Sequence, residues 1–279
     1  MRKKSGLFLS IAAVVLLGAS TGDSNPLPRR EKPKTVRCIV ASDTILSGMI
    51  VFLLPPEKYS AEALLPPGQC PGHYDVKLSD IERTKAADLI VSFKGMPFMN
   101  REGLGGGARL LLDARGRNWM APGAYIQGLT VLAEGLSKRF PEDEEDIRMR
   151  VQQTACKVKQ EADRLAEKIR QAGGCGKEVI ASAMQKEPLE WMGFRVVGEY
   201  GRPEAMSAAE IVRLVKIGKD RRAVAVVDNL QSGPDTGKGI AETLAVPHVI
   251  LTNFPSEKGY LATLEENVHA LLSALKGIR

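Results

Sequence analysis

The sequence predicts an α/β protein built as two parallel-sheet lobes joined by one long rigid helix, and three observations lead there. From residue 35 onward, short apolar runs alternate with segments of helical period, the pattern of mainly parallel sheets. Between Glu142 and Ala172, apolar or small residues recur in steps of three and four at Ile147, Val151, Ala155, Val158, Ala162, Leu165 and Ile169. That spacing marks one face of a helix; about 30 residues at about 1.5 Å each make a rod of roughly 45 Å, well beyond the usual helix length. The blocks on either side of it are similar in size.

In order, Val36 to Ala41 reads as a strand, and Ile45 to Leu54 as a buried helix closed by Pro55-Pro56. Tyr59 to Leu65 reads as a second strand. Ser79 to Ala87 is expected to be a helix with Ser79 as N-cap and Asp80 at the positive end of its dipole. Asp88 to Phe93 and Ala108 to Asp113 are strands, and Pro122 to Phe140 is a helix with proline in its first turn. The long helix follows, with acids from Glu142 to Asp146 at its start, Lys168 and Arg170 near its end, and Gly173-Gly174 to stop it. Beyond it, strands are expected at Glu178 to Ser182, Arg195 to Glu199, Ala223 to Val227 and His248 to Thr252. Helices are expected at Gln185 to Met192, Ser207 to Lys216, Thr236 to Leu244 and Tyr260 to Lys276.

The chain therefore divides into an N-terminal lobe over 36–141, a backbone helix over 142–173 and a C-terminal lobe over 174–279. Ahead of these, residues 1–20 have the three parts of a secretory signal: a basic start, an apolar run from Leu7 to Gly18, and small residues Gly18, Ala19 and Ser20. The run is shorter than the about 20 residues a bilayer span needs. Leu16 to Ser20 has the form of a lipoprotein box with Ser20 in place of the lipidated cysteine. Residues 21–35 are a Pro- and charge-rich tether. The expectation is a soluble, monomeric protein exported to the periplasm or an equivalent compartment. Losing the signal removes three basic residues and no acid, which takes the net charge from +6 to +3. So mild a charge, with no basic-aromatic pattern, excludes nucleic acid as a partner.

Parallel sheets bind ligands beyond the carboxyl ends of their strands. That directs attention to Ser42-Asp43, Cys70 to Asp75, Gly116 to Trp119, Ala183 to Gln185, Asp228 to Ser232 and Asn253 to Pro255. Cys70 and His73 sit three apart on a Pro/Gly-bent segment, and thiolate and imidazole bind borderline transition metals well. The four cysteines permit disulfides in an oxidising compartment. Cys38 and Cys156 are expected to be buried bystanders, while Cys70 and Cys175 lie in Gly-containing loops where a disulfide, a metal bond or a free thiol are all open.

The segment Cys70 to Asp80, followed by Ala86-Ala87-Asp88-Leu89-Ile90-Val91, resembles the metal-binding receptors of ABC importers, the cluster A-I or ZnuA/TroA-like family. The family pattern there is Asp-Pro-His-x-Tyr-Glu-Pro-x-Pro-Ser-Asp and then a helix and an Ala-Asp-Leu strand. Pro71, Tyr74, Ser79 and Asp80 match it, and Asp75 stands for Glu. Trp119-Met120-Ala121-Pro122, Trp191 to Gly198 and Gly239 to Thr243 fall in family order, so the resemblance runs from Val36 to the C-terminus. It implies two α/β lobes on a rigid helix, a metal ion bound in the cleft between them, small closure on binding and delivery to a membrane permease.

The resemblance departs at the ligands. The family's first histidine falls on Gly72, the second on about Arg117 and the third on about Ser182, with the acidic ligand near Asp228 or Asn253. The chain has three histidines, His73, His248 and His269, and the last two are not expected in the cleft. The donors then expected for a transition metal are Cys70, His73 and Asp228, with zinc first and manganese or copper as alternatives. Asn118, Ser182, Met184, Gln185, Asn229 and Asn253 complete the expected cleft. In the rival reading, Asn118, Gln185, Asn229 and Asn253 hydrogen-bond a small organic molecule or a metal chelate.

Enzyme signatures are set aside. Gly103 to Ala108 precedes a strand, whereas a dinucleotide fingerprint must follow one. Thr236 to Gly239 lacks the first P-loop glycine, with Ser232 there instead. Cys70 and His73 on one bent loop are better placed to share a ligand than to act as nucleophile and base.

Overall fold

The computed structural model describes residues 36–105 and 107–276; the expected signal and tether lie outside them. Among the described residues no helix is long and apolar enough to cross a membrane.

The N-terminal lobe holds strands β1 (Arg37–Ala41), β2 (Tyr59–Ala63), β3 (Leu89–Phe93) and β4 (Ala108–Leu112), all parallel in the order β2-β1-β3-β4. Helices α1 (Thr44–Leu53), α2 (Leu78–Ala86) and α3 (Pro122–Arg139) accompany them. The connecting helix α4 spans Glu144–Gln171, 28 residues, after a short turn at Pro141–Asp143. The C-terminal lobe repeats the plan with β5 (Glu178–Ser182), β6 (Arg195–Tyr200), β7 (Ala225–Asn229) and β8 (His248–Leu251), parallel in the order β6-β5-β7-β8. Its helices are α5 (Lys186–Trp191), α6 (Ala208–Arg221), α7 (Lys238–Leu244) and α8 (Tyr260–Lys276). In each sheet the chain runs first to one side and then to the other, which puts a switch point between β1 and β3 and another between β5 and β7.

Besides shifted ends such as those of β2 at Ala63 and α6 at Arg221, three local outcomes differ from the sequence reading. Helix α2 starts at Leu78, with Lys77 rather than Ser79 as N-cap. The cause is Asp80, which reaches back to accept the Lys77 N–H at 2.9 Å and also accepts from Tyr74 Oη at 2.7 Å. Cys156 lies exposed on α4 and Cys38 is half-buried, so neither is a core cysteine; all four cysteines are unpaired thiols. Strand β7 begins two residues late, because Arg222 takes a left-handed conformation and the Ala223 N–H caps α6 by donating to Gly218 O at 2.9 Å. That shift moves Asp228 from a loop into the strand.

The lobes share one continuous core. Ile147, Val158, Leu165 and Ile169 of α4 join it together with residues of α1, α3 and α8. Tyr125 of α3 stacks on Tyr260 of α8 with ring centroids 3.7 Å apart, and Tyr260 Oη donates to Met120 O at 3.1 Å. At the start of α4, buried Asp143 accepts from Tyr59 Oη at 2.6 Å and pairs with Lys58. Near its end, Arg164 and Lys168 both pair with Glu265 of α8, at 2.7 and 3.0 Å.

Candidate functional site

A cavity of about 680 Å³ opens where the carboxyl ends of the strands of both sheets converge. Phe93 ends β3, Ala114 and Gly116 follow β4, Ala183 and Met184 follow β5, Arg202 follows β6, Asn229 ends β7, and Asn253 and Phe254 follow β8; all of them line it. Its apolar wall is Ile45, Phe93, Trp119 and Phe254, with Trp119 set edge-on to Phe93 at 4.7 Å. This is the position that the two switch points select, and the size and lining are those of a small-molecule pocket.

Amides cross the floor between the lobes. Asn118 Nδ2 donates to Met184 O at 2.6 Å and to Asn253 Oδ1 at 3.0 Å, while Asn118 Oδ1 accepts from Met120 N at 2.9 Å. Behind them, buried Gln185 donates through Nε2 to Asn253 Oδ1 at 2.8 Å and to Asn229 Oδ1 at 2.9 Å. Gln185 Oε1 accepts no hydrogen bond among the described residues. Glu187 accepts from the Asn118 N–H at 2.7 Å and pairs with Arg117 at 2.5 Å, which raises the arginine's pKa through that hydrogen bond.

The expected residues thus separate into groups. Asn118, Asn229, Asn253 and Gln185 form one network, and half-exposed Met184 lines the cavity. Ser182 is buried at the end of β5 and is not among the lining residues. Asp228 is corrected from cleft donor to core residue. Both its oxygens point into the C-terminal lobe, where Oδ1 accepts from Tyr200 Oη at 2.7 Å and Oδ2 accepts from the Gly237 N–H at 2.8 Å. His248 Nε2 lies 2.6 Å from Oδ2, within hydrogen-bond distance. His73 is exposed and Cys70 half-buried, on the loop that carries Pro71 into the cavity. Among the described residues, no three His, Cys, Asp or Glu side chains are grouped so as to hold a metal ion.

Arg202 was missing from the sequence reading. It stands two residues past the edge strand β6, between Gly201 and Pro203. Its guanidinium reaches across to the other lobe, with Nη1 at 3.6 Å from Cys70 Sγ. A Cβ built on Gly72 would meet Arg202 Nη1 at 3.1 Å. The side chain thus fills the space beside Gly72, the position to which the resemblance assigns the family's first histidine. A strand-end residue flanked by Gly and Pro in a parallel sheet was the available signal.

No protein-family model and no curated protein matches the chain. Solved structures do. ZnuA superposes with TM-score 0.70 at 13% identity, over 86% of this chain and 99% of that one. The Mn-bound periplasmic metal binding protein from Candidatus Liberibacter asiaticus gives 0.72 at 12%, with the same coverage of 86% and 99%. This chain has the fold of the ZnuA/TroA-like metal-binding receptors. The laminin binding protein Lmb of Streptococcus agalactiae, described as a bifunctional protein with adhesin and metal transporting activity, gives 0.69 at 13%, over 86% of this chain and 99% of its own. Within this fold the cavity is lined by Arg117, Arg202, Lys186, Glu187 and Glu190 beside the amides and the apolar wall.

Proposed function

We propose that the chain is an extracytoplasmic solute receptor that carries its ligand in the interlobe cleft to an ABC permease, and that it binds rather than catalyses. Its ligand is a metal chelate or a small organic molecule, not a bare zinc-like ion. One observation carries the choice of ligand: Arg202 lies 3.1 Å from where a Gly72 side chain would begin, and among the described residues it is the lining cation without a carboxylate partner, since Arg117 pairs with Glu187 and Lys186 with Glu199. A guanidinium without a carboxylate partner repels a bare cation, and a zinc site needs about three or four deprotonated S, N or O ligands. The nearby Cys70 and His73 offer two, from a single loop.

Metal analysis and thermal melting of tag-free protein test this directly. Wild type and the Cys70→Ala/His73→Ala double variant are expected to carry the same negligible zinc, and added zinc, manganese or copper should leave both melting temperatures unchanged. Stoichiometric zinc in wild type that disappears in the double variant would restore the bare-ion receptor, with Cys70 and His73 as ligands.

A further inference from the structure

We infer that Arg202 is the anchor for a carboxylate of the ligand, so that the cleft takes a small organic carboxylate or its metal chelate. This rests on the cleft being the ligand site, and it specifies the ligand's chemical class. Arg202 is half-buried, and no carboxylate lies within 4.0 Å of it among the described residues. The other cations of the cavity are engaged, Arg117 with Glu187 at 2.5 Å and Lys186 with Glu199 at 2.5 Å. Among the described residues its five N–H donors meet only the Cys70 sulfur, a weak acceptor, at 3.6 Å. Glu190 lines the same cavity without pairing to it.

A guanidinium fork is matched to a planar carboxylate, which it binds through two parallel hydrogen bonds. With Arg117 paired to Glu187 and Lys186 to Glu199, Arg202 is the lining cation left to receive an anion. The amide face opposite offers groups for hydroxyl or amide functions, and Ile45, Phe93, Trp119 and Phe254 provide apolar wall for a carbon skeleton. The volume of about 680 Å³ suits a molecule of many atoms.

The test is thermal melting followed by calorimetric titration against malonate, succinate, citrate, glutamate and zinc citrate at constant ionic strength. The neutral amides of the same acids and zinc chloride serve as comparators, and the proteins are wild type, Arg202→Gln, Arg202→Lys and Lys219→Gln. Lys219 lies exposed near the end of α6, away from the cleft. At least one carboxylate is expected to stabilise wild type and Lys219→Gln while its amide does not. Arg202→Gln should weaken that binding roughly ten- to hundred-fold, and Arg202→Lys should recover part of it. No response to any carboxylate overturns the ligand class, and undiminished binding by Arg202→Gln overturns the anchor; either result leaves the cleft as the ligand site. Equal stabilisation of wild type and Arg202→Gln by zinc chloride alone would overturn both the anchor and the chelate reading beneath it.

Discussion

Asp228→Ala is expected to destabilise the protein by about 3 kcal/mol or more, since leaving a single buried donor without its acceptor costs about 1–3 kcal/mol. The carboxylate is fully buried and collects Tyr200 Oη, the Gly237 N–H and His248 Nε2 between 2.6 and 2.8 Å. Without it the Gly237 amide loses its acceptor and the histidine its partner, while Tyr200 retains only Val227 O at 3.1 Å. Burial and the neighbouring Asp228 charge already hold the Tyr200 hydroxyl far above the ordinary tyrosine range, so it stays a proton donor. For a domain of this size the melting temperature should fall by roughly 10 °C. Asp228→Asn keeps one oxygen and should cost less. Below its lowered melting temperature, Asp228→Ala is expected to bind cleft ligand as wild type does. Unchanged melting together with lost binding would return Asp228 to the site.

The second large effect depends on pH. Asp43 is fully buried, and burial pushes its carboxyl up to about 6 against the opposing hydrogen bonds from Ser42 Oγ and the Leu46 and Ile45 N–H groups. In the unfolded chain an aspartate titrates near about 3.9. Between these values the folded protein holds a proton that the unfolded chain has released. Stability from this residue is therefore complete below about pH 4 and is lost as pH rises through about 6, a change of about 3 kcal/mol. Asp43→Asn keeps the N-cap acceptor of α1, where Asn serves as well as Asp. It should be more stable than wild type at pH 7 by up to that amount and equal to it at pH 4. Urea unfolding at the two pH values measures this, and a difference between the proteins that does not vary with pH would refute it.

The fold was legible because the residues that specify it are local and periodic. The apolar face from Ile147 to Ile169 forms the buried side of α4, and β5 and α8 have the bounds that the pattern predicts. In the segment Cys70 to Asp80, two of the positions that carry the family resemblance are structural: Tyr74 donates to Asp80 and packs edge-on against Phe98 at 4.9 Å. They fix the loop beside the cavity whatever the cavity binds. The chemistry of the site was harder to read because it depends on long-range placement. A left-handed cap at Arg222 drew Asp228 into β7 and to His248, two residues that nothing in the local sequence connects. Arg202 meets Cys70 from 132 positions away, a pairing that no spacing rule contains. Asn118, Gln185, Asn229 and Asn253 were named from strand ends alone, and the structure brings them into one network.

Native mass spectrometry of the tag-free exported protein, compared with its denatured mass, tests the central claim most directly. An excess mass equal to a small organic molecule, with or without a metal, and absent from Arg202→Gln, is the result expected. An excess equal to bare zinc ions with no organic component, retained in Arg202→Gln, would contradict it.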